Sequence, residues 1–154
     1  MIEYRKIEKS EKPELSALIT LVLDKLERKD FFIPFDDEEI EAMFDENNAV
    51  IYGAYDGDKL VGTAQLYLGD EFVENIKENL GVKDSLAAEF GGVLVLPEYR
   101  GNGIMKHFGN ILVSEAKLKK YEYIVAVAHP ENIASNRGIS AIGAKLIKTD
   151  YLGE

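Results

Sequence analysis

The chain has 154 residues, 46% hydrophobic and 30% charged, with no cysteine and a formal net charge of -10. This length and balance predict one globular domain over residues 1–154 whose core needs no covalent staples. They exclude disulfides, thiolate metal sites and a cysteine nucleophile, and the acidity argues against nucleic acid and anionic membrane as partners. The same acidity suits a cationic substrate, or serves solubility alone. The absence of cysteine fits a reducing compartment, and Met1 to Lys6 carry no apolar signal segment. No apolar run reaches the roughly 18 residues of a membrane span. A cytoplasmic protein is expected.

Ile2 to Ile7 alternates and reads as a first strand. Pro13 to Arg28 reads as a helix, with Ser10 as its cap and Leu15, Leu18, Ile19, Val22, Leu23 and Leu26 forming one apolar face. Phe31-Phe32-Ile33-Pro34-Phe35 follows as an apolar loop that either lines a substrate pocket or tucks its rings into the core edge. Asp36 or Asp37 caps a second helix running to about Glu46. Ala49 to Tyr55 and Leu60 to Leu68 are strands of a hairpin turned at Asp56-Gly57-Asp58. Glu71 to Leu80 is a short helix ended by Gly81.

Leu86 to Leu96 is a long strand containing Glu89, and its Gly91-Gly92 pair signals a bulge. Pro97 stops that strand. Arg100-Gly101-Asn102-Gly103 turns the chain into a helix marked by Ile104, Phe108, Ile111, Leu112 and Ala116, ending in Lys117, Lys119 and Lys120. Tyr123 to Ala128 is the next strand, so this portion is a βαβ unit with parallel flanking strands. A turn at His129 to Asn132, a helix from Ile133 to Ile142, and a last strand from Lys145 to Tyr151 complete the chain.

A glycine turn between an apolar strand and a helix offers unpaired N–H groups and the positive end of a dipole, which suits a phosphate or pyrophosphate. Three such motifs compete. A dinucleotide fingerprint needs a third glycine where Lys106 stands, and a P-loop needs a Gly-Lys-Ser/Thr triplet that is absent. The third fits. Arg100-Gly101-Asn102-Gly103-Ile104-Met105 resembles the Arg/Gln-x-x-Gly-x-Gly/Ala acyl-CoA turn of the GNAT superfamily of N-acetyltransferases. Downstream, Pro130-Glu131-Asn132-Ile133-Ala134-Ser135 and Ile142-Gly143 are similar to that family's Pro-x-Asn-x-x-Ser helix leading to Gly-Phe. The order of strands and helices matches over almost the whole chain.

The resemblance implies an α/β (α+β) fold with a mixed, mostly antiparallel central sheet, in which two strands splay to admit the pantetheine arm of acetyl-CoA. It implies that backbone groups of Leu94, Val95 and Leu96 pair with that arm. The N–H groups of Arg100, Gly101, Asn102, Gly103, Ile104 and Met105 would hold the pyrophosphate, and Asn132 and Ser135 would reach the coenzyme from the far side. Lys106 and Arg137 are either partners of the outer phosphates or solvated helix residues.

The chemistry implied is N-acetyl transfer from acetyl-CoA to an amine of a small molecule or peptide, by direct attack in a ternary complex. No metal is needed. Glu89, six residues before Val95, is the candidate base, its pKa raised by apolar neighbours; the other reading is a polar residue on a solvated strand face. The position where many members carry an acidic tyrosine is Ile139 here, which leaves Tyr67 or Tyr151 as candidate acids, or a thiolate that leaves unaided. Met105 replaces a small residue, and Ala144 an aromatic one. These departures leave a second hypothesis, an acyl-CoA-binding sensor module without catalysis. The chain ends eleven residues after Gly143, room for one strand where the family has two, unless a homodimer partner lends one. His129 reads as a turn residue or a catalytic group, and His107 as a helix residue without a role.

Overall fold

The computed structural model describes residues 1–29, 32, 34–68, 70–81, 86–128 and 130–143. Its centre is a five-stranded sheet of β1 (Ile2–Lys6), β2 (Ala49–Asp56), β3 (Lys59–Tyr67), β4 (Ala87–Val95) and β5 (Tyr123–Val125), in that spatial order. The first three junctions are antiparallel and β4–β5 is parallel. This is the mixed, mostly antiparallel sheet with a βαβ unit that the sequence implies. The helices are α1 (Lys12–Asp24), α2 (Asp37–Met43), α3 (Asp70–Asn79), α4 (Ile104–Leu118) and α5 (Ile133–Ala141).

Residues of alternate parity along the strands face two helical layers. On one face Tyr4 packs edge-on against Phe108 of α4, and the Tyr52 hydroxyl donates to Glu115 Oε1 at 3.2 Å. The buried side of α4 is Ile104, Phe108, Leu112 and Ala116, one residue per turn. On the other face α1 buries Leu15, Leu18, Ile19 and Val22. Glu11, just before α1, takes two bonds from Arg5 (2.9 and 3.1 Å) and one from the Tyr55 hydroxyl (2.8 Å), which ties α1 to the first two strands.

Local chemistry moves some predicted ends. Ser10 does not cap α1. It lies in a 3-10 turn (Lys9–Glu11), where the Glu8 N–H donates to Glu11 Oε1 at 3.1 Å. The first helix ends at Asp24, not Arg28, because the Lys29 ammonium takes the carbonyls of Leu23 (2.6 Å) and Asp24 (3.2 Å). Asp36, not Asp37, caps α2: its carboxylate accepts from the Glu39 N–H at 2.7 Å, and Glu39 returns the bond to the Asp36 N–H at 3.1 Å. That helix stops at Met43, short of Glu46, since Asn48 Nδ2 donates to the Ala42 carbonyl at 3.0 Å and Asp45 accepts from the Asn47 N–H.

The predicted strand from Tyr123 to Ala128 pairs only over Tyr123–Val125, against Ala87–Glu89. Beyond Glu89, β4 takes a bulge: Thr63 pairs with Leu94 but Gln65 with Gly91, two steps on β3 against three on β4. Gly92 sits there at φ 62°, in the left-handed region that L side chains rarely adopt. Pairing of β4 with β5 stops at Glu89 and Val125, so among the described residues the ladder has a gap on that side of β4 beyond the bulge. The predicted last strand, Lys145 to Tyr151, lies outside the described residues. Among the described residues, no helix is long and apolar enough to cross a membrane.

Candidate active site

β4 delivers the first part of the site. The Leu96 N–H donates to the Val61 carbonyl at 2.9 Å. Antiparallel strands alternate bonded and non-bonded pairs, so Leu94 opposite Thr63 also faces β3, while Val95 opposite Gly62 turns its N–H and C=O the other way, toward the gap. Of Leu94, Val95 and Leu96, therefore, Val95 offers main-chain groups to the opening, and the Leu96 N–H is held within the sheet.

A 3-10 turn (Pro97–Tyr99) follows the strand. The Tyr99 hydroxyl donates to Asp56 Oδ2 at 2.6 Å, tying this turn to the β2–β3 hairpin. Asn102 Nδ2 donates to the Tyr99 carbonyl at 2.9 Å, folding the turn back on itself. Arg100 is extended, and Gly101 and Gly103 have φ 82° and 73°. A side chain added at either glycine would meet nothing within 4 Å. They are glycines for their backbone angles and for the open approach they leave. Gly103 is the N-cap of the fifteen-residue α4 and makes no side-chain cap bond, so the first N–H groups of that helix lack partners within it. Ile104 is buried and Met105 half-buried. The turn is thus an exposed glycine cradle that follows directly on the Val95 main chain.

α5 closes against α4 through two glycines. A Cβ on Gly109 would overlap the Ile142 side chain, and one on Gly138 would overlap Met105 Sδ. Sequence reading had no reason to single these out, since glycine inside a helix looks only like a weak helix former. Asn132 is the N-cap of α5: its carboxamide oxygen accepts from the Ser135 N–H at 3.2 Å. Asn136 gives two further bonds to the Asn132 carbonyl. Asn132 thus shapes the start of the helix that carries Ser135. Lys106 and Arg137 are exposed, and Ile139 is half-buried.

Glu89 lies on the α1 face, opposite Tyr67 in the β3–β4 ladder. It is half-buried, and desolvation raises its carboxyl to about pKa 7. It is therefore not on a solvated strand face. Tyr67 is buried, and its hydroxyl donates to Gln65 Oε1 at 2.9 Å. Burial, then the charges of Glu89 and Glu39, push the Tyr67 hydroxyl well above its ordinary pKa. It holds its proton tightly. Phe35 is 6.3 Å from the Tyr67 ring and 5.6 Å from Phe32, between ring centroids. These two rings both reach the core and border the Glu89 face. Phe31, Ile33, His129, Ala144 and Tyr151 lie outside the described residues. His107 stacks on Tyr4 at 4.2 Å on the opposite face, away from Glu89. Among the described residues, no three His, Asp or Glu side chains group to hold a metal ion.

A model described as the acetyltransferase (GNAT) family matches residues 20–138. No curated protein matches the sequence. Solved structures match in fold. Aminoglycoside N-acetyltransferase AAC(6')-Iy, solved with a CoA bisubstrate analogue, superposes with TM-score 0.75 at 17% identity, over 100% of this chain and 97% of that one. Aminoglycoside 6'-N-acetyltransferase AAC(6')-Ih from Acinetobacter baumannii gives 0.73 at 19%, over 100% and 98%. A ribosomal-protein-alanine N-acetyltransferase from Brucella melitensis biovar Abortus gives 0.71 at 19%, over 100% and 99%.

Proposed function

The chain belongs to the GNAT acetyltransferase family, and from that premise we propose that it moves an acetyl group from acetyl-CoA to an amine by direct attack in a ternary complex. Family members draw their acyl group from acetyl-CoA, and the similar AAC(6')-Iy is solved with CoA. The bound donor supplies a thioester carbonyl open to attack. Val95 runs its main-chain groups along the pantetheine arm, and its N–H is the donor to the carbonyl oxygen as charge develops there. Arg100, Gly101, Asn102, Gly103, Ile104 and Met105 present the N–H groups for the pyrophosphate. Asn132 and Ser135 close the far side. Glu89 takes the proton from the amine as its nitrogen bonds to the acyl carbon; the C–S bond then breaks, and the CoA thiolate leaves unaided and takes its proton from water.

One observation carries this reading: a half-buried carboxyl, raised by desolvation to about pKa 7, stands on the same strand as the Val95 main chain, which faces away from β3 where the β4–β5 ladder has ended. The acceptor face supports a cationic amine on a partly apolar body, because Glu89 and Glu39 both place charge at Tyr67, beside Phe32 and Phe35. By name, two of the matched enzymes act on aminoglycosides and one on a ribosomal-protein alanine, all of them amines.

Acetyl-CoA with a panel of alkyl, aryl and peptide amines tests the proposal by release of free thiol. Release is expected with cationic alkyl or peptide amines. Coenzyme binding with no release on any amine would sink it. Gly103→Val tests the cradle separately. A β-branched residue in the left-handed region costs about 1–2 kcal/mol, so the unbound turn should relax to another conformation; binding must then restore the strained one, and CoA affinity should fall about tenfold in calorimetric titration. An unchanged affinity would move the pyrophosphate elsewhere.

A further inference from the structure

The face that carries Glu89 also holds a buried polar chain. Thr63, Gln65 and Tyr67 occupy alternate positions of β3 and share one side of the sheet. Thr63 and Gln65 are 0% and 1% exposed. The Tyr67 hydroxyl donates to Gln65 Oε1 (2.9 Å), Gln65 Nε2 donates to Thr63 Oγ1 (2.8 Å), and the Thr63 hydroxyl donates to the Tyr52 carbonyl (3.0 Å). Burying polar side chains is costly where apolar ones would pack as well. A fully bonded chain in such a place fixes geometry.

What it fixes lies directly across the ladder. A Cβ built on Gly92 would overlap Gln65 Oε1 and come within 2.5 Å of the Tyr67 hydroxyl. The backbone of the β4 bulge therefore rests on the Gln65–Tyr67 hydrogen bond. One end of the chain, Tyr67, pairs with Glu89; the other, Thr63, pairs with Leu94, next to Val95. Gln65 sits between them and bonds to both neighbours.

We propose that Gln65 is a positioning residue, which by joining Tyr67 to Thr63 beneath the bulge fixes the offset between the Glu89 carboxylate and the Val95 backbone, and so the line along which the amine meets the acyl carbon. The inference rests on the roles proposed above for Glu89 and Val95. It assigns Gln65 no contact with either substrate.

Gln65→Leu keeps the volume and removes both bonds. A misplacement on the order of 1 Å can cost 10²-fold in rate, so kcat should fall about 30-fold or more. KM for acetyl-CoA and the CoA dissociation constant should stay within about threefold, because the glycine turn is untouched. A kcat within about twofold of the parent would overturn the proposal. So would a parallel fall in kcat and CoA affinity, the mark of general loosening. Should Gln65→Leu fail to fold, Thr63→Val removes the anchor at the other end and should show the same split, about fivefold in kcat. A second measurement needs no turnover. Backbone NMR spectra of the CoA-bound parent and variant should differ most from Glu89 to Val95. Unmoved resonances there would overturn the inference even if no amine substrate had been found.

Discussion

Glu89→Gln is expected to lower kcat/KM for the amine by about 10³-fold, within the range removed with a general base, while CoA affinity is unchanged. The pH profile makes the test specific. With the carboxyl at about pKa 7, the parent's kcat/KM should climb from pH 5.5 to 8.5, half its rise lying near pH 7. A carboxyl at its ordinary value of 4.5 would already be ionised across that range. The limb should be missing in the glutamine variant. Stability moves the other way. The folded pKa is raised, so the fold favours the protonated acid, and this contribution is lost as pH rises from about 4.5 to about 7. Glutamine has no charge to desolvate, so Glu89→Gln should melt above the parent at pH 8.5, with the difference closing by pH 4.5. A variant that keeps the activity limb would remove Glu89 from the mechanism. One that melts alike at both pH values would remove the desolvated carboxyl itself.

Gly92→Ala should be the most damaging small substitution in the sheet. Two costs add. The left-handed backbone costs an alanine about 1 kcal/mol. The new methyl overlaps Gln65 Oε1, which can yield only by breaking the Tyr67 bond inside the core, leaving a buried polar group unsatisfied at about 1–3 kcal/mol. The sum, about 3 kcal/mol, corresponds to a melting point lowered by about 6–12 °C for a chain of this size. Gly57→Ala is the control: φ is again 62°, but nothing lies within 4 Å of the added methyl, so only the first cost applies. Equal melting shifts for the two variants would mean that the Gln65 contact constrains nothing.

The strand, glycine turn and helix proposed to hold the donor were legible in the sequence because their signals are local. Val93 to Leu96 is an apolar run, Pro97 ends it, and Gly101 and Gly103 mark a change of backbone angle that no contact dictates. Gly91-Gly92 likewise announced its bulge. What stayed hidden depends on partners far along the chain. Thr63 and Gln65 alternate with apolar residues and read like the wet side of a strand; only the helices packed on that face bury them. The period-two run of Thr63, Gln65 and Tyr67 opposite a double glycine was the available clue. Nor could the apolar letters from Tyr123 to Ala128 say where pairing stops, since the bulge that ends it lies on β4. Gly109 and Gly138 gave no sign of a contact between helices. The short ends of α1 and α2 came from Lys29 and Asn48, whose side chains reach back across turns that periodicity does not see.

The junction of α4 and α5 has a consequence for altering the enzyme. At Gly109 and Gly138 the helices approach until only hydrogen atoms separate a backbone from the facing side chain. Spacing set that way has no slack, so the two helices behave as one clamp, and any bulkier residue there must prise it apart. The acceptor side proposed above differs: Phe32 and Phe35, on the segment between α1 and α2, pack on each other and on the core. A designer seeking a new acceptor should therefore rebuild that segment and leave the two glycines alone.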